Sequence, residues 1–163
     1  MFLRFETLNQ LRLAGMCKVM SFTQNTTHDL WRSFMPLRKT ILNQKSENLY
    51  SLEIYPDADY FKSFDPERAF EKWAAVEVQD QHDLPEGISP LLVPAGEYAV
   101  FLHKGPASEG AKTYTWIFME WLPSSGFEAD HRPHFAVMDK RYKYEDPGSE
   151  EEIWIPIKSN KIV

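Results

Sequence analysis

Apolar residues recur at helical intervals in one segment of the first half of the chain. Within residues 20–43 the intervals are four, three and four positions, at Leu30, Phe34, Leu37 and Ile41. This spacing places the four side chains on one side of a helix. The segment therefore predicts a helix with one apolar face.

The ends and the interior of this predicted helix carry further signals. Thr26 or Thr27 can cap its first turn, and Asp29 follows where the helix dipole favours an acidic residue. Pro36 lies inside the apolar pattern, and proline lacks the backbone N–H that a helix interior uses. We therefore expect Pro36 to kink the helix or to split it near Phe34.

Five segments have the composition or the alternation of β-strands. They are "LYSLEIYP" (49–56), "FEKWAAVEVQ" (70–79), "GEYAVFLHKG" (96–105), "HFAVMDKRY" (134–142) and "EEIWIPIK" (151–158). Between them, "HDLPEGISP" (82–90) is rich in turn residues and predicts a loop. A second helix is expected in "ASEGAKTYTWIFMEWLPSSG" (107–126), stopped by Pro123 and Gly126.

The order of these elements repeats in the two halves of the chain. Ala14-Gly15 is echoed 81 positions later by Ala95-Gly96, and the order strand, helix, strand, strand occurs twice. We therefore predict one domain over residues 1–163, built from half-repeats of about residues 1–83 and 84–163. Strands with helices on one face favour an α+β fold with a mostly antiparallel sheet and two main helices.

Charge and composition exclude several classes of protein. The net charge of −6 argues against direct nucleic-acid binding, which needs a basic surface. Cys17 is the only cysteine, which is typical of a reducing cytoplasm. No segment has the apolar length of a membrane span or a signal peptide. The five histidines lack metal-ligand spacing and no nucleotide-binding motif occurs, so we expect neither a metal nor a cofactor.

Four longer stretches resemble the gyrase-inhibitor-like superfamily and the related effector-binding domains of AraC-type and multidrug-sensing MerR-type activators. They are "FEKWAAVEV", "VPAGEYAVFLHKGP", "EWLPSSGFEADHRPHF" and "DPGSEEEIWIPIK". The resemblance runs from about Ala14 to Lys158. It implies a tandem βαββ fold with pseudo-twofold symmetry. It also implies a central cleft between the halves for lipophilic, often cationic or aromatic, small molecules.

The resemblance also bears on how such a domain would act. No DNA-binding helix-turn-helix pattern extends from either end of the sequence. We therefore expect sensing or sequestration of a small molecule without direct contact to DNA. A protein-interaction role, such as binding gyrase, stays open as an alternative.

The strand that begins "RPHF" lacks a residue that the resemblance implies. Relatives usually carry a glutamate directly after the aromatic residue, where it faces the cleft and pairs with a ligand cation. Here that position is Ala136. Alternation places Ala136 with His134 and Met138, opposite Phe135. Ala136 is then either an ordinary packing residue or the mark of a site without its central charge, which would favour neutral or weakly polar ligands.

Two tryptophans occupy corresponding strands of the two half-repeats. Trp73 shares a strand face with Glu77, and Trp154 points away from the isoleucines beside it, to a face that Ala136 can share. Pseudo-symmetry then offers Trp73 and Trp154 as paired walls of one cleft, with Glu77 as the nearest carboxylate. Alternatively, both tryptophans are half-buried residues of the sheet surface.

The second helix supplies two further candidates. Its apolar stripe is formed by Tyr114, Ile117, Phe118 and Trp121. Trp116 and Glu120 lie off this stripe, one turn apart, and together can line the edge of the cleft. Glu120 can equally be a solvated surface residue. Weaker candidates for the cleft wall, whose hydroxyls can orient a ligand, are Tyr50, Tyr55 and Tyr98.

These residues favour a binding module for a lipophilic or aromatic small molecule. The alternative is a hydrolase of reactive, for example cyclopropane-bearing, compounds, an activity that the resemblance implies for some relatives through a glutamate and a tyrosine. With Ala136 in the usual carboxylate position, Glu77 or Glu120 would have to serve as the catalytic carboxylate.

Overall fold

The computed structural model describes residues 1–160. Within them, strands β1 to β9 are Phe2–Leu8, Leu11–Met20, Leu49–Ile54, Phe70–Glu77, Ser89–Val93, Gly96–Lys104, Phe127–Ala129, His134–Met138 and Glu150–Ser159. Helix α1 is Thr27–Arg38. A second helical segment comprises a 3₁₀ turn (Ala107–Glu109), α2 (Gly110–Trp116), a π-helical turn (Ile117–Trp121) and α3 (Leu122–Ser125).

The strands form one antiparallel sheet with a twofold arrangement. Their order is β1-β6-β9-β8-β3-β4-β2-β5, and β7 pairs with β9. About the central β8–β3 pair, β9, β6 and β1 on one side correspond to β4, β2 and β5 on the other. β1 precedes β2 in the chain yet pairs with β6, and β5 precedes β6 yet pairs with β2. Each half thus adds its first strand to the edge of the other half, β1 beside β6 and β5 beside β2. The predicted α+β fold is confirmed.

Both helical segments cover the same face of the sheet, one over each half. Helix α1 packs its buried Leu30 and Phe34 on β2 and β4. The second segment packs Ile117 against Phe101 of β6 and Ile155 of β9. The two central strands, β3 and β8, therefore lie between the helices.

The opposite face of the sheet is buried by strand residues. Its core cluster includes Trp73, Phe135 and Trp154, together with the fully buried Tyr98. The Tyr98 hydroxyl donates a hydrogen bond to the carbonyl oxygen of Pro133 at 2.9 Å. This face thus forms a filled apolar core, which stabilises the sheet through buried aromatic area.

Helix α1 is not split at Phe34, because it continues through Pro36 to Arg38. Pro36 lies in the last turn and is exposed, so water can hydrogen-bond the carbonyl that the proline leaves unpaired. Asp29 lies in the first turn, as predicted. The Thr26 side chain, by contrast, makes no capping hydrogen bond within residues 1–160.

The second helix extends past Pro123 and ends at Gly126, whose φ of 82° terminates the helix in the left-handed region. Pro123 has no N–H to donate, and the turn before it widens so that the Leu122 N–H bonds the Ile117 carbonyl, five residues back. The widened turn carries Phe118 and Trp121. In this turn the side-chain directions therefore differ from those of a regular α-helix.

Four strands lie outside the segments that the pattern predicts, namely β1, β2, β5 and β7. Strand β5 begins inside the predicted loop 82–90 and contains Pro90. It is an edge strand, and an edge position tolerates a proline because its N–H side need not join a ladder. Strand β7 has only three residues, too few for alternation to be recognised.

The Ala-Gly echo at 81 positions does not match the structural repeat. Met16 pairs with Ala74, and Phe101 pairs with Ile153 in the other half. Since Ala74 and Ile153 correspond about the central pair, Met16 corresponds to Phe101, a separation of 85 positions. The echo is therefore four residues out of register, although the order of elements that it suggested is correct.

Candidate functional site between the two helices

The space above β3 and β8, between α1 and the second helical segment, is called the central cleft. Ser51 of β3 pairs with both Ala74 and Ala136, and Ala136 also pairs with Ile153. Directly paired residues point to the same face of a sheet. Ala74 belongs to the core under α1 and Ile153 to the core under the second helix. Ser51 and Ala136 therefore form the floor of the cleft.

A buried ion pair lies on the same floor. Lys72 Nζ donates to Glu53 Oε1 at 2.8 Å, and the two side chains are only 10% and 13% exposed. Within residues 1–160, no group hydrogen-bonds the other carboxylate oxygen, Glu53 Oε2, which is buried. A buried ion pair is stable only when its remaining polar atoms are satisfied. One acceptor is thus available to a ligand or to water.

His134 is paired directly with Glu53 and is 5% exposed. Its ring stands edge-on to Tyr55, with 4.9 Å between ring centroids, and lies 5.9 Å from Phe118. His134 Nδ1 is buried and has no hydrogen-bond partner in the described part of the chain. Two unpaired polar atoms, on Glu53 and His134, therefore occupy neighbouring strands at the cleft floor.

Two aromatic rings, here called the lid, cover this polar floor. Phe61 and Phe118 stack with 4.2 Å between centroids and 14° between ring planes. Phe61 comes from the segment between β3 and β4, and Phe118 comes from the π-helical turn. The lid thus joins the two halves of the molecule directly above His134.

The segment that carries Phe61, residues 56–69, is here called the strap. At its base Arg68 forms an ion pair with Asp57, and the Tyr60 hydroxyl donates to the Arg68 carbonyl at 2.8 Å. Lys62 reaches Glu128 of the second half at 3.6 Å. The strap is therefore anchored to its own half by several contacts and reaches the other half through Phe61 and Lys62.

A groove of about 340 Å³ borders the lid. Phe61 and Lys62 line one side, and Phe118, Leu122, Phe127 and Glu128 line the other. Ligand sites in proteins usually measure about 300–1,000 Å³ and are mostly apolar. Because the lid borders both the groove and His134, displacement of Phe61 would connect the groove with the polar floor.

Burial changes the titration of the groups that surround the cleft. Burial raises the pKa of Tyr55 and of Tyr114 well above the usual 10, and the Glu53 carboxylate adds to both shifts. Tyr55 and Tyr114 therefore keep their protons at neutral pH and can donate hydrogen bonds. Burial also raises the pKa of Glu151.

His134 predicts a pH dependence of stability. Burial, followed by the charges of Arg132 and His131, lowers the pKa of His134 from 6.5 to about 3. The unfolded chain binds this proton near pH 6.5, whereas the folded chain does not. The free energy of unfolding should therefore fall by about 1.4 kcal/mol per pH unit below pH 6.5 until the folded pKa is reached.

The measurement is chemical denaturation of the wild type and of His134→Gln between pH 6.5 and 4.5. The variant should lose the slope that one proton contributes. His28→Gln, at an exposed position, is the matched control and should keep the wild-type slope. An unchanged slope in His134→Gln would show that His134 is not buried as a neutral ring.

Two residues singled out in the sequence lie at the central cleft. Ala136 is 5% exposed on the floor, and Tyr55 contacts the His134 ring from the end of β3. The expectation that Ala136 and Trp154 share a face is wrong. Trp154 pairs with Phe135, one residue out of phase with Ala136.

The proposed aromatic walls lie elsewhere. Trp73, Trp154, Tyr50 and Tyr98 all belong to the core cluster of the opposite face, and both tryptophans are 7% exposed. The sheet register relates Trp73 to Glu152 rather than to Trp154. The two tryptophans are therefore not paired by the twofold arrangement, and the structure does not bring them to the central cleft.

The two carboxylates proposed for catalysis also lie outside the cleft. Glu77 shares its face with Trp73 and pairs with Lys45 at 4.0 Å. Glu120 is exposed. Trp116 packs edge-on against Phe101 in the core under the helix, 6.0 Å between centroids. Glu77 therefore lies on the face of the sheet opposite the cleft floor, and the Glu120 side chain is exposed to solvent.

The polar floor was missed by the sequence interpretation, although one signal for it exists. Lys72 lies on the same strand face as Phe70, Ala74 and Val76, which are all buried. A lysine in phase with buried residues needs a partner, because an unpaired buried charge is costly. The partner, Glu53, is identified only by the register between β3 and β4.

Comparison with known proteins identifies relatives. The family model for the GyrI-like small molecule binding domain matches residues 1–158. Transcriptional regulator BrlR of Pseudomonas aeruginosa is 31% identical over 135 residues, which make up 82% of this chain and 47% of BrlR. The chain thus spans about half the length of that relative.

Solved structures share the fold. SAV2435 bound to tetraphenylphosphonium superposes with a TM-score of 0.71 at 15% identity, covering 97% of this chain and 94% of SAV2435. The EcmrR C-terminal domain has a TM-score of 0.70 at 14% identity, with coverage of 97% and 98%. A hydrolase from Listeria innocua has a TM-score of 0.59 at 11% identity, with coverage of 95% and 91%.

Proposed function

We propose that this chain, which belongs to the family of GyrI-like small molecule binding domains, binds a lipophilic aromatic molecule in the central cleft. The observation that carries the proposal is a buried polar floor beneath a stacked aromatic lid. Aromatic walls with a few fixed polar groups are typical of sites for flat apolar ligands. No helix within residues 1–160 is long and apolar enough to cross a membrane.

The ligand enters from the groove in this proposal. Phe61 moves off Phe118, the ligand takes the place of the Phe61 ring, and Tyr55 and Tyr114 contact it from the two halves. The strap stays attached through its base, where Arg68 pairs with Asp57. Stacking on Phe118 would replace the contact between the two lid rings, so opening loses little aromatic contact.

The charge of the cleft favours a cationic ligand. Ala136 lacks the carboxylate that the resemblance implies, but Glu53 and Glu151 bring two carboxylates to the face on which Lys72 lies. The nearby Arg132 guanidinium is paired with Asp130 at 3.0 Å. Burial keeps His134 neutral at neutral pH, since its pKa is about 3. SAV2435, which shares the fold, is bound to the lipophilic cation tetraphenylphosphonium. The proposed role is sensing or sequestration of such a compound.

Tetraphenylphosphonium is the probe that tests this proposal. Isothermal titration calorimetry should show saturable binding, and Phe118→Ala should weaken binding because it removes the ring on which the ligand stacks. Absence of saturable binding would contradict the proposed function.

The Ala136→Glu variant gives a directional prediction. A carboxylate on the cleft floor should strengthen tetraphenylphosphonium binding by roughly 1–3 kcal/mol through Coulomb attraction alone, because the phosphonium has no hydrogen-bond donor. Ala136→Gln is the control, because it adds similar volume without the charge. Equal affinities of the two variants for the cation would show that position 136 does not face the ligand.

Turnover is a second candidate function, supported by one observation. Burial raises the pKa of Glu151, and a carboxyl that keeps its proton nearer neutral pH can act as a general acid. Tyr114 lies close enough to feel the Glu151 charge. Incubation with a reactive cyclopropane-bearing compound, followed by product analysis of wild type and Glu151→Gln, tests this candidate. Product formed by the wild type and lost in Glu151→Gln would support a hydrolase. If the wild type forms no product, the hydrolase candidate fails and the binding role is left.

A further inference from the structure

The cleft floor carries two unpaired polar atoms on directly facing residues. Glu53 Oε2 and His134 Nδ1 are both buried, and no group within residues 1–160 hydrogen-bonds either atom. Glu53 and His134 are cross-strand partners in the β3–β8 ladder, so their Cβ atoms are only about 4.5–5.5 Å apart. One ligand group can therefore reach both atoms.

The two atoms together select a type of hydrogen-bonding group. The ionised carboxylate of Glu53 accepts hydrogen bonds only. A neutral imidazole accepts at the ring nitrogen that carries no proton, so Nδ1 accepts when the proton is on Nε2. Tyr55 and Phe118 face the His134 ring, with 4.9 Å and 5.9 Å between centroids, so a flat body that takes the place of the Phe61 ring would lie beside both. A flat cation with two N–H donors would satisfy both acceptors at once.

We propose that the ligand of this cleft carries an amidinium-like group, whose two N–H donors bond Glu53 Oε2 and His134 Nδ1. This inference rests on the proposed function and deepens it, because it names the ligand class and assigns specificity to His134. A permanently charged onium group carries a positive charge but has no N–H group to donate a hydrogen bond. It would displace water from both atoms and leave both acceptors unpaired, which weakens binding.

Lys72 sharpens this selection. Its ammonium already holds Glu53 Oε1 at 2.8 Å, so the carboxylate is fixed in orientation and only Oε2 is left for the ligand. Because this carboxylate is already oriented, a correctly placed ligand N–H can form a hydrogen bond with Oε2 at little entropic cost. A diffuse positive charge gains no such bond. Discrimination between donors and onium groups should therefore be a property of the folded site and not of overall charge.

A pair of cations with the same apolar body tests the inference. Biphenyl-4-carboxamidine and biphenyl-4-yltrimethylammonium share the biphenyl group and the single positive charge, and only the amidine donates hydrogen bonds. By calorimetry, the wild type should bind the amidine at least about tenfold more tightly, as expected for hydrogen bonds to buried acceptors. Equal or tighter binding of the ammonium compound would overturn the inference.

Variants place the discrimination on the two named residues. His134→Phe and Glu53→Gln should each reduce the preference for the amidine severalfold, while His28→Gln, at an exposed position, should keep it. The wild-type ratio needs no variant, so the inference can be tested even where a variant fails to fold. A preference that survives in folded His134→Phe would contradict the assignment of Nδ1.

Failure of the inference and failure of the proposed function give different results. If both compounds bind saturably with equal affinity, the cleft binds lipophilic cations but does not select N–H donors. If neither compound nor tetraphenylphosphonium binds, the proposed function itself is wrong. Tight binding of the amidine without tight binding of the ammonium compound supports both the inference and the proposed function.

Discussion

Replacing Gly15 by alanine is expected to lower the free energy of unfolding by about 3 kcal/mol or more, at the upper end of overpacking effects. A Cβ at Gly15 would lie 2.1 Å from the carbonyl oxygen of Ala74 and 2.7 Å from the Cα of Ala75. Both are backbone atoms of β4, which cannot move without breaking its ladder with β2. Urea denaturation followed by circular dichroism measures the loss.

Gly96 provides the matched control, because it is the second glycine of the echoed Ala-Gly dipeptide. A Cβ there would also be crowded, at 2.2 Å from Arg132 Nη1. That atom belongs to a side chain and not to the backbone, so Arg132 can shift. Gly96→Ala should therefore cost about 1 kcal/mol, from the disturbed hydrogen bonds of Arg132 to Asp130 and to the Ile157 carbonyl. A loss in Gly15→Ala as small as that in Gly96→Ala, about 1 kcal/mol, would show that the close approach of β2 and β4 does not require glycine.

Removing Lys72 should have the second large effect. Lys72→Met leaves the buried Glu53 carboxylate without its counter-ion, and breaking a buried pair from one side typically costs about 3–5 kcal/mol. The pair is 2.8 Å apart with little exposure. We expect denaturation at pH 7 to show a loss in this range.

A double-mutant cycle separates the ion pair from packing. Lys72→Met combined with Glu53→Gln removes both charges and should recover most of the stability that Lys72→Met loses. Lys112→Met, in an exposed pair with Glu109 at 3.4 Å, should change stability by less than about 0.5 kcal/mol. A double variant as unstable as Lys72→Met would show that the Lys72 stem, and not its charge, carries the effect.

The sequence predicts the fold well because period and order are local properties. The alternation in residues 70–79 and 96–105 and the apolar spacing of Leu30, Phe34 and Leu37 each produce the element they predict, whereas Ile41 lies beyond the end of α1 at Arg38. Family resemblance adds the tandem arrangement. The exchange of β1 and β5 between the halves is a long-range pairing that no local pattern contains.

The candidate site is harder to predict, because a strand pattern separates two faces without telling which one the helices cover. Trp73 and Trp154 are large and alternate correctly, yet they fill the core of the opposite face. Ala136 lies on the cleft floor, where its partner Ser51 is known only from the register. The pair of Glu53 with Lys72 depends on the same register, across 19 residues of sequence.

The central claim is that the ligand lies in the cleft between the helices, and a crystal structure of the complex with tetraphenylphosphonium tests it most directly. The account predicts the ligand above Ser51 and Ala136, with the Phe61 ring moved off Phe118. Ligand bound on the opposite face beside Trp73, or confined to the outer groove with the lid still stacked, would contradict it.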